Sequence, residues 1–335
     1  VFRATLQVLR SGWQAICLRP LRRPCNNSEA LKVNESNSVM ATKPLAASDA
    51  LAFLPSLITP TPWESLKNFT DARIALGRAG VSQPTTAHLA FQLAHAQARD
   101  AVHLPLDAHG VARAMQDLGL PTLMLHSRAA DRASYLQRPD LGRRLDGPSL
   151  QALATWQTTA QPARGAPFDL AFVVVDGLSA LAIHENALPL VSLMLDYLKA
   201  DTTQAWSMAP LVVVEQGRVA IGDDIGEQLN ANMVVLLIGE RPGLSSPDSM
   251  GIYFTWAPRI GTLDAARNCI SNVRGAGLSV QAAAQTLQRL LAQARLQQRT
   301  GIGLKDELDH LLPDANAGVG GPPHTSHWLD VSAAN

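Results

Sequence analysis

Met233 to Ile238 is an unbroken apolar run that stops abruptly at the polar loop Gly239-Glu240-Arg241-Pro242-Gly243. Val234, Val235 and Ile238 come from the β-favouring set, and the run never alternates with polar residues. A short continuous apolar segment bounded by Gly and Pro reads as a strand buried on both faces, the pattern of a parallel sheet. The loop that follows sets a carboxylate beside a guanidinium at the strand's carboxyl end. Open α/β sheets receive their ligands at that edge.

The rest of the chain extends this reading. Leu170 to Val175 is a second apolar run, ending at Asp176-Gly177-Leu178-Ser179, and Leu211 to Val214 is a third. Between them Leu188, Val191, Leu195 and Leu198 recur on one helical face, with Pro189 expected in the first turn, where a missing N–H costs little. Gly217 to Ile221 reads as a short extended piece and 223–229 as a brief helix. Residues 280–299 form a last amphipathic helix, with Leu287, Leu290, Leu291 and Ala294 inward and Arg289, Arg295 and Arg299 outward. Upstream, Pro84-Thr85-Thr86 can begin a helix whose Leu89, Leu93 and Ala96 recur at helical spacing. The expected fold is therefore α/β: an N-terminal helical region followed by a Rossmann-like, mostly parallel sheet covered by helices on both faces. The corresponding divisions are a flexible arm over 1–62, a helical domain over 63–160, the sheet domain over 161–312 and a frayed tail over 313–335.

Composition excludes several classes. Twenty-eight basic and 28 acidic residues cancel, which argues for neither a nucleic-acid nor an anionic-membrane partner. No apolar run approaches the ~18 residues of a membrane span. Three cysteines, Cys17, Cys25 and Cys269, make neither a disulfide framework nor a CxxC pair, as suits a reducing cytosol. Residues 1–28 carry Arg3, Arg10, Arg19, Arg22 and Arg23 and no acid. That composition suits an organellar transit peptide, or translation read from too far upstream, with Met40 as an ordinary start. The second reading is preferred.

Several positions bear chemistry. Glu240 is either an acceptor for amides or hydroxyls of a large polar ligand or a turn carboxylate pairing Arg241 in solvent. Asp176 to Ser179 is either a ligand loop or plain strand-to-helix turn chemistry, with Ser179 placed to cap the next helix. Cys269, read alone, is a small buried hydrophobe, and Val219 an edge-strand residue. His184 reads as a turn residue, and His88, His95 and His103 as surface or packing residues. Gly77-Arg78-Ala79-Gly80 lacks the Lys and Ser/Thr of a phosphate loop. The basic turn Arg138-Pro139-Asp140-Leu141-Gly142-Arg143-Arg144 can bind phosphates or clamp a subunit interface, and the interface role is preferred.

Several motifs in fixed order carry a resemblance. They are TDARIALGRAG at 70–80, FQLAHAQARDAV at 91–102, RPDLGRRL at 138–145, VDGLS at 175–179, GERPGL at 239–244 and RNCISN at 267–272. Together, over about Trp63 to Glu307, the chain resembles the small subunit of ethanolamine ammonia-lyase. The resemblance implies deamination of ethanolamine to acetaldehyde and ammonia by an adenosylcobalamin radical route. It implies a large-subunit partner, a TIM-barrel protein that carries the substrate site, while this chain helps enclose the cobalamin. Carried over by position, the family's cobalamin contacts fall on Val219, Glu240 and Cys269. The resemblance implies no catalytic residue in this chain, since the large subunit carries the radical chemistry, and no cobalt ligand is expected, since no DxHxxG motif occurs in it. The competing reading is a scaffold whose arm addresses the complex to a bacterial microcompartment. A free-standing nucleotide oxidoreductase is weakened because no GxGxxG follows any expected strand.

Overall fold

The computed structural model describes residues 57–160, 166–202 and 205–305. Most of the expected arm (1–56), the first residues of the expected sheet domain (161–165) and the expected frayed tail lie outside the described residues. Within the expected arm, Thr59 is described and bridges Arg78.

The helices are α1 (Thr85–His103), α2 (Ala108–Gln116), α3 (Arg132–Gln137), α4 (Gly147–Ala160), α5 (Ala180–Ala200), α6 (Ile221–Gln228) and α7 (Val280–Gln297). The strands are β1 (Thr122–His126), β2 (Phe168–Val175), β3 (Leu211–Glu215), β4 (Ala231–Gly239), β5 (Met250–Trp256) and β6 (Arg267–Val273). They form one mixed sheet in the order β1-β3-β2-β4-β5-β6. β1, β3, β2 and β4 run parallel, with Val173 beside Val212 on one side and Leu236 on the other. β5 and β6 return antiparallel. The β4–β5 connection is a loop without a crossover helix, and short connections join antiparallel neighbours.

The apolar runs become the centre of the sheet because they can bury both faces. Leu170, Phe172 and Val174 of β2 pack with residues of α2, α5 and α7, such as Met115, Leu190 and Leu287. The intervening Ala171, Val173 and Val175 pack in a second cluster with Leu145, Leu153, Ile221 and Ile225. Each of the Val, Leu, Ile, Phe and Met side chains among them contributes ~1.5–3 kcal/mol when fully buried. The stripe of α7 is as expected, with Leu287, Leu290, Leu291 and Ala294 buried.

Three expectations are corrected. Residues 122–126, read as part of a helical region, form the sheet's edge strand β1, whose half-exposed side chains give it little apolar signal. Pro189 lies in the middle of α5, because Ser179 caps that helix much earlier by accepting the Ala182 N–H. The proline ring faces solvent, where the helix tolerates it. Gly217 to Ala220 is a turn leading into α6, not a strand. Its donors are taken outside any ladder, Gly217 N–H by Asp176 Oδ1 at 3.1 Å and Arg218 N–H by Gly142 O at 2.7 Å. Leu89 and Leu93 are more than half exposed, whereas α1 buries Ala94 and Ala101.

Candidate functional site

The parallel strands bring three loops to one edge. β2 ends at Asp176, β3 at the 216–219 turn and β4 at Glu240, while α3 and the Leu141–Arg143 turn lie beside them. β2 leads into α5 and β3 into α6, whose side chains belong to different clusters. Adjacent strands that depart in opposite senses leave a crevice at their carboxyl ends.

Glycine shapes the crevice floor. Gly177 has φ +58°, and a Cβ there would sit 2.3 Å from Gly239 O. The β2 and β4 ends therefore touch backbone to backbone, joined by the Leu178 N–H to Gly239 O bond at 2.9 Å.

Glu240 is held by its own fold. Its backbone N–H bonds Ser249 O at 2.9 Å, and its Oε2 accepts from Ser249 Oγ at 2.5 Å and from the Asn272 N–H at 3.3 Å. Oε1 accepts nothing among the described residues and remains available. The pairing with Arg241 considered from sequence is not formed. Cys269 is exposed, not buried, because β6 turns Ile270 inward and Cys269 outward. It stands opposite Tyr253 in the β5–β6 register, hydrogen-bonded to that hydroxyl. The sulfur is nonetheless shielded, and this partial burial pushes the thiol up, opposed by the Tyr253 and Ser271 hydrogen bonds.

Val219 lies where two cavities meet. One, of about 420 Å³, is lined by Val219, Glu240, Arg241, Tyr253, Tyr135 and Arg218 among others. The other, of about 510 Å³, shares Arg218 and Val219 and is closed by the basic turn and by Ile260 to Asp264. Val219 and Glu240 thus line one cavity, whereas Cys269 lines neither and stands beside Tyr253 in the neighbouring strand.

Residues not anticipated from sequence dominate this edge. Tyr135 of α3 is fully buried between two guanidinium groups, Arg218 at 4.2 Å and Arg132 at 4.8 Å from the ring centre. Burial pushes its phenol up, so it stays protonated. Arg132 donates to Val102 O and Gly177 O, both at 2.8 Å, and pairs with Asp176 at 3.5 Å. Burial raises the Asp176 carboxyl to about 6, opposed by backbone donors and Arg132. Asp176 does not line either cavity; it braces the Gly217 turn from below. Three buried polar atoms here have no partner: Tyr135 OH, Arg132 Nη2 and Arg218 Nε. Only the basic-turn motif hinted at such a cluster. His184, read as a turn residue, lies in the first turns of α5, where its Nε2 accepts the Asp107 N–H at 3.0 Å.

Residues 60–305 match the family model described as Ethanolamine ammonia-lyase light chain (EutC). The chain belongs to the ethanolamine ammonia-lyase light-chain family. It is 56% identical over 261 residues to the ethanolamine ammonia-lyase small subunit of Ralstonia nicotianae, covering 78% of this chain and 94% of that one. The small subunit of Azotobacter vinelandii is 55% identical over 263 residues, 78% of this chain and 95% of that protein. That of Pseudomonas aeruginosa is 52% identical over 278 residues, covering 82% and 97%. Membership makes the chain a lyase subunit of ethanolamine catabolism, and a light chain implies a larger partner. The matched span contains every residue of the crevice described above. Among the described residues no helix is long and apolar enough to cross a membrane.

Proposed function

We propose that this chain encloses adenosylcobalamin together with the large subunit of the lyase, which converts ethanolamine to acetaldehyde and ammonia. The sheet domain, 161–312, is on this reading a Rossmann-like cradle with helices on both faces, and the two separate side-chain clusters support it. Val219, Glu240 and Cys269 are the cofactor contacts.

What carries the reading is the set of unused polar atoms at the crevice: Tyr135 OH, Arg132 Nη2 and Glu240 Oε1. An unpartnered buried donor costs ~1–3 kcal/mol, so several gathered at one crevice favour a ligand that satisfies them. The corrin periphery carries carboxamides, which both donate and accept, and the donors and acceptors present here fit that chemistry. When bound, adenosylcobalamin supplies the radical that starts the reaction, through cobalt–carbon homolysis. The chain's own residues bind and exclude water. Glu240, anchored through Oε2, offers Oε1 to an amide N–H. Tyr135 offers a protonated hydroxyl. Val219, Ile238 and the Tyr253 ring form apolar wall between these polar points.

The test is cobalamin binding by the assembled two-subunit complex. Glu240→Ala is expected to weaken it about tenfold or more, since a charge-assisted hydrogen bond contributes ~1.5–3 kcal/mol. Unchanged affinity in an intact complex removes Glu240 from the site. Ammonia release from ethanolamine by the pair, and not by the large subunit alone, is the accompanying expectation; equal release without this chain makes it a scaffold.

A further inference from the structure

The larger cavity contains chemistry that the corrin contacts leave unused. Arg143, Arg144 and Arg218 line it, and Asp264 is the only carboxylate among its lining residues. The Asp264 carboxylate already pairs with Arg267 at 3.2 Å, and Arg144 pairs with Asp224 at 3.3 Å. The other carboxylate of the first turn of α6, Asp223, is neutralised by Arg267 at 2.7 Å. Arg143 and Arg218 have no carboxylate partner among the described residues. Arg218 donates Nη2 to Tyr135 O at 3.0 Å, and its buried Nε donates to nothing. Val219 and Ala220 add the N-terminus of α6, which has no side-chain cap. Helix N-termini favour anions.

The basic turn is fitted to this arrangement. A Cβ on Gly142 would lie 2.8 Å from Arg218 Cγ and 3.1 Å from Gln216 O. Only glycine lets the turn lie against the Arg218 stem, and the Arg218 N–H to Gly142 O bond closes the contact. Two uncompensated guanidiniums and an uncapped helix start thereby face one cavity of about 510 Å³. A planar fork on each guanidinium suits an anion with several oxygens.

We propose that this cleft binds a phosphate-class oxyanion, with Arg218 and Arg143 as its ligands. Two sources present that chemistry: the phosphodiester in the nucleotide loop of cobalamin, in which case the inference rests on the cofactor reading above, and a separate phosphate. Cobinamide, which keeps the corrin and lacks the nucleotide loop, separates them.

The experiment uses the assembled complex carrying wild-type chain, Arg143→Gln or Arg218→Lys. Arg143 is exposed, so its replacement leaves the fold intact. Cobalamin, cobinamide and inorganic phosphate are each titrated at equilibrium. With the phosphodiester as ligand, both variants weaken cobalamin binding about tenfold, the worth of one charge-assisted bond, and cobinamide binding stays within about twofold. With a separate phosphate as ligand, the variants lose phosphate binding and hold cobalamin as before. Wild-type affinity for all three ligands in Arg143→Gln overturns the inference. Equal loss of cobalamin and cobinamide in both variants overturns it as well, because the arginines then serve the corrin or the fold. A wild-type complex that binds phosphate through these arginines but no cobalamin refutes the cofactor reading alone.

Discussion

Asp176→Asn isolates one buried carboxyl beneath the crevice. Asp176 is 3% exposed, and burial raises its carboxyl to about 6, against about 3.9 for an unstructured aspartate. Between about pH 4 and 6 the folded chain therefore keeps a proton that the unfolded chain has released. The stability this group contributes is complete below about pH 4 and is lost as the pH rises through 6. Two pH units at about 1.4 kcal/mol each give a loss of about 3 kcal/mol. Asparagine has nearly the same shape and still accepts the Gly217 N–H, but it does not titrate. Urea titrations of wild type and variant, run in parallel at each pH and equal protein concentration, measure the difference. Relative to the variant, wild type should lose most of that ~3 kcal/mol between pH 4.5 and 7.5. A difference that stays flat with pH would mean that Asp176 ionises normally and that Arg132 and the backbone donors outweigh its burial.

Gly177→Ala combines φ +58° with a Cβ 2.3 Å from Gly239 O, and is expected to cost ~3 kcal/mol or more. Gly80→Ala, with φ +65° and open space around it, should cost only ~1 kcal/mol by the same denaturation assay. Asp223→Ala leaves the buried Arg267 guanidinium with only the exposed Asp264 as carboxylate partner and should destabilise by ~3 kcal/mol, whereas breaking the exposed Arg138–Asp140 pair should leave the melting temperature unchanged. Because its thiol is pushed up, Cys269 should alkylate more slowly at neutral pH than a free thiol, and more slowly still in Tyr253→Phe, which removes a hydrogen bond favouring the thiolate. Iodoacetamide kinetics in a Cys17→Ser, Cys25→Ser background reads this; fast labelling would show an unshielded sulfur.

The centre of the sheet and the last helix were legible in the residues themselves. The runs in β2, β3 and β4 and the stripe of α7 leave one arrangement that hides their apolar surface. The flanks were not. β1 fully buries only Leu125, and so a helical neighbourhood concealed it. The direction of β5 depends on the loop before it, not on its own residues. The start of α5 was set by the Ser179 cap, which outweighed a proline.

The site divides in the same way. Glu240 was conspicuous because it directly follows the strongest strand signal, and Ser179 because cap chemistry is local. Val219 and Cys269 came from family resemblance; their own surroundings pointed to an edge strand and a core, and the structure places them in a turn and on an exposed strand face. Tyr135 and Arg218 stand 83 residues apart, and Arg132 and Gly177 45 apart. Apolar periodicity and cap preferences act between near neighbours, and so the sequence alone determined which segments become buried strands and helices. Which polar groups would be brought together without partners was decided only when those strands paired, because sheet order and the packing of α3 against it join residues that share no local pattern.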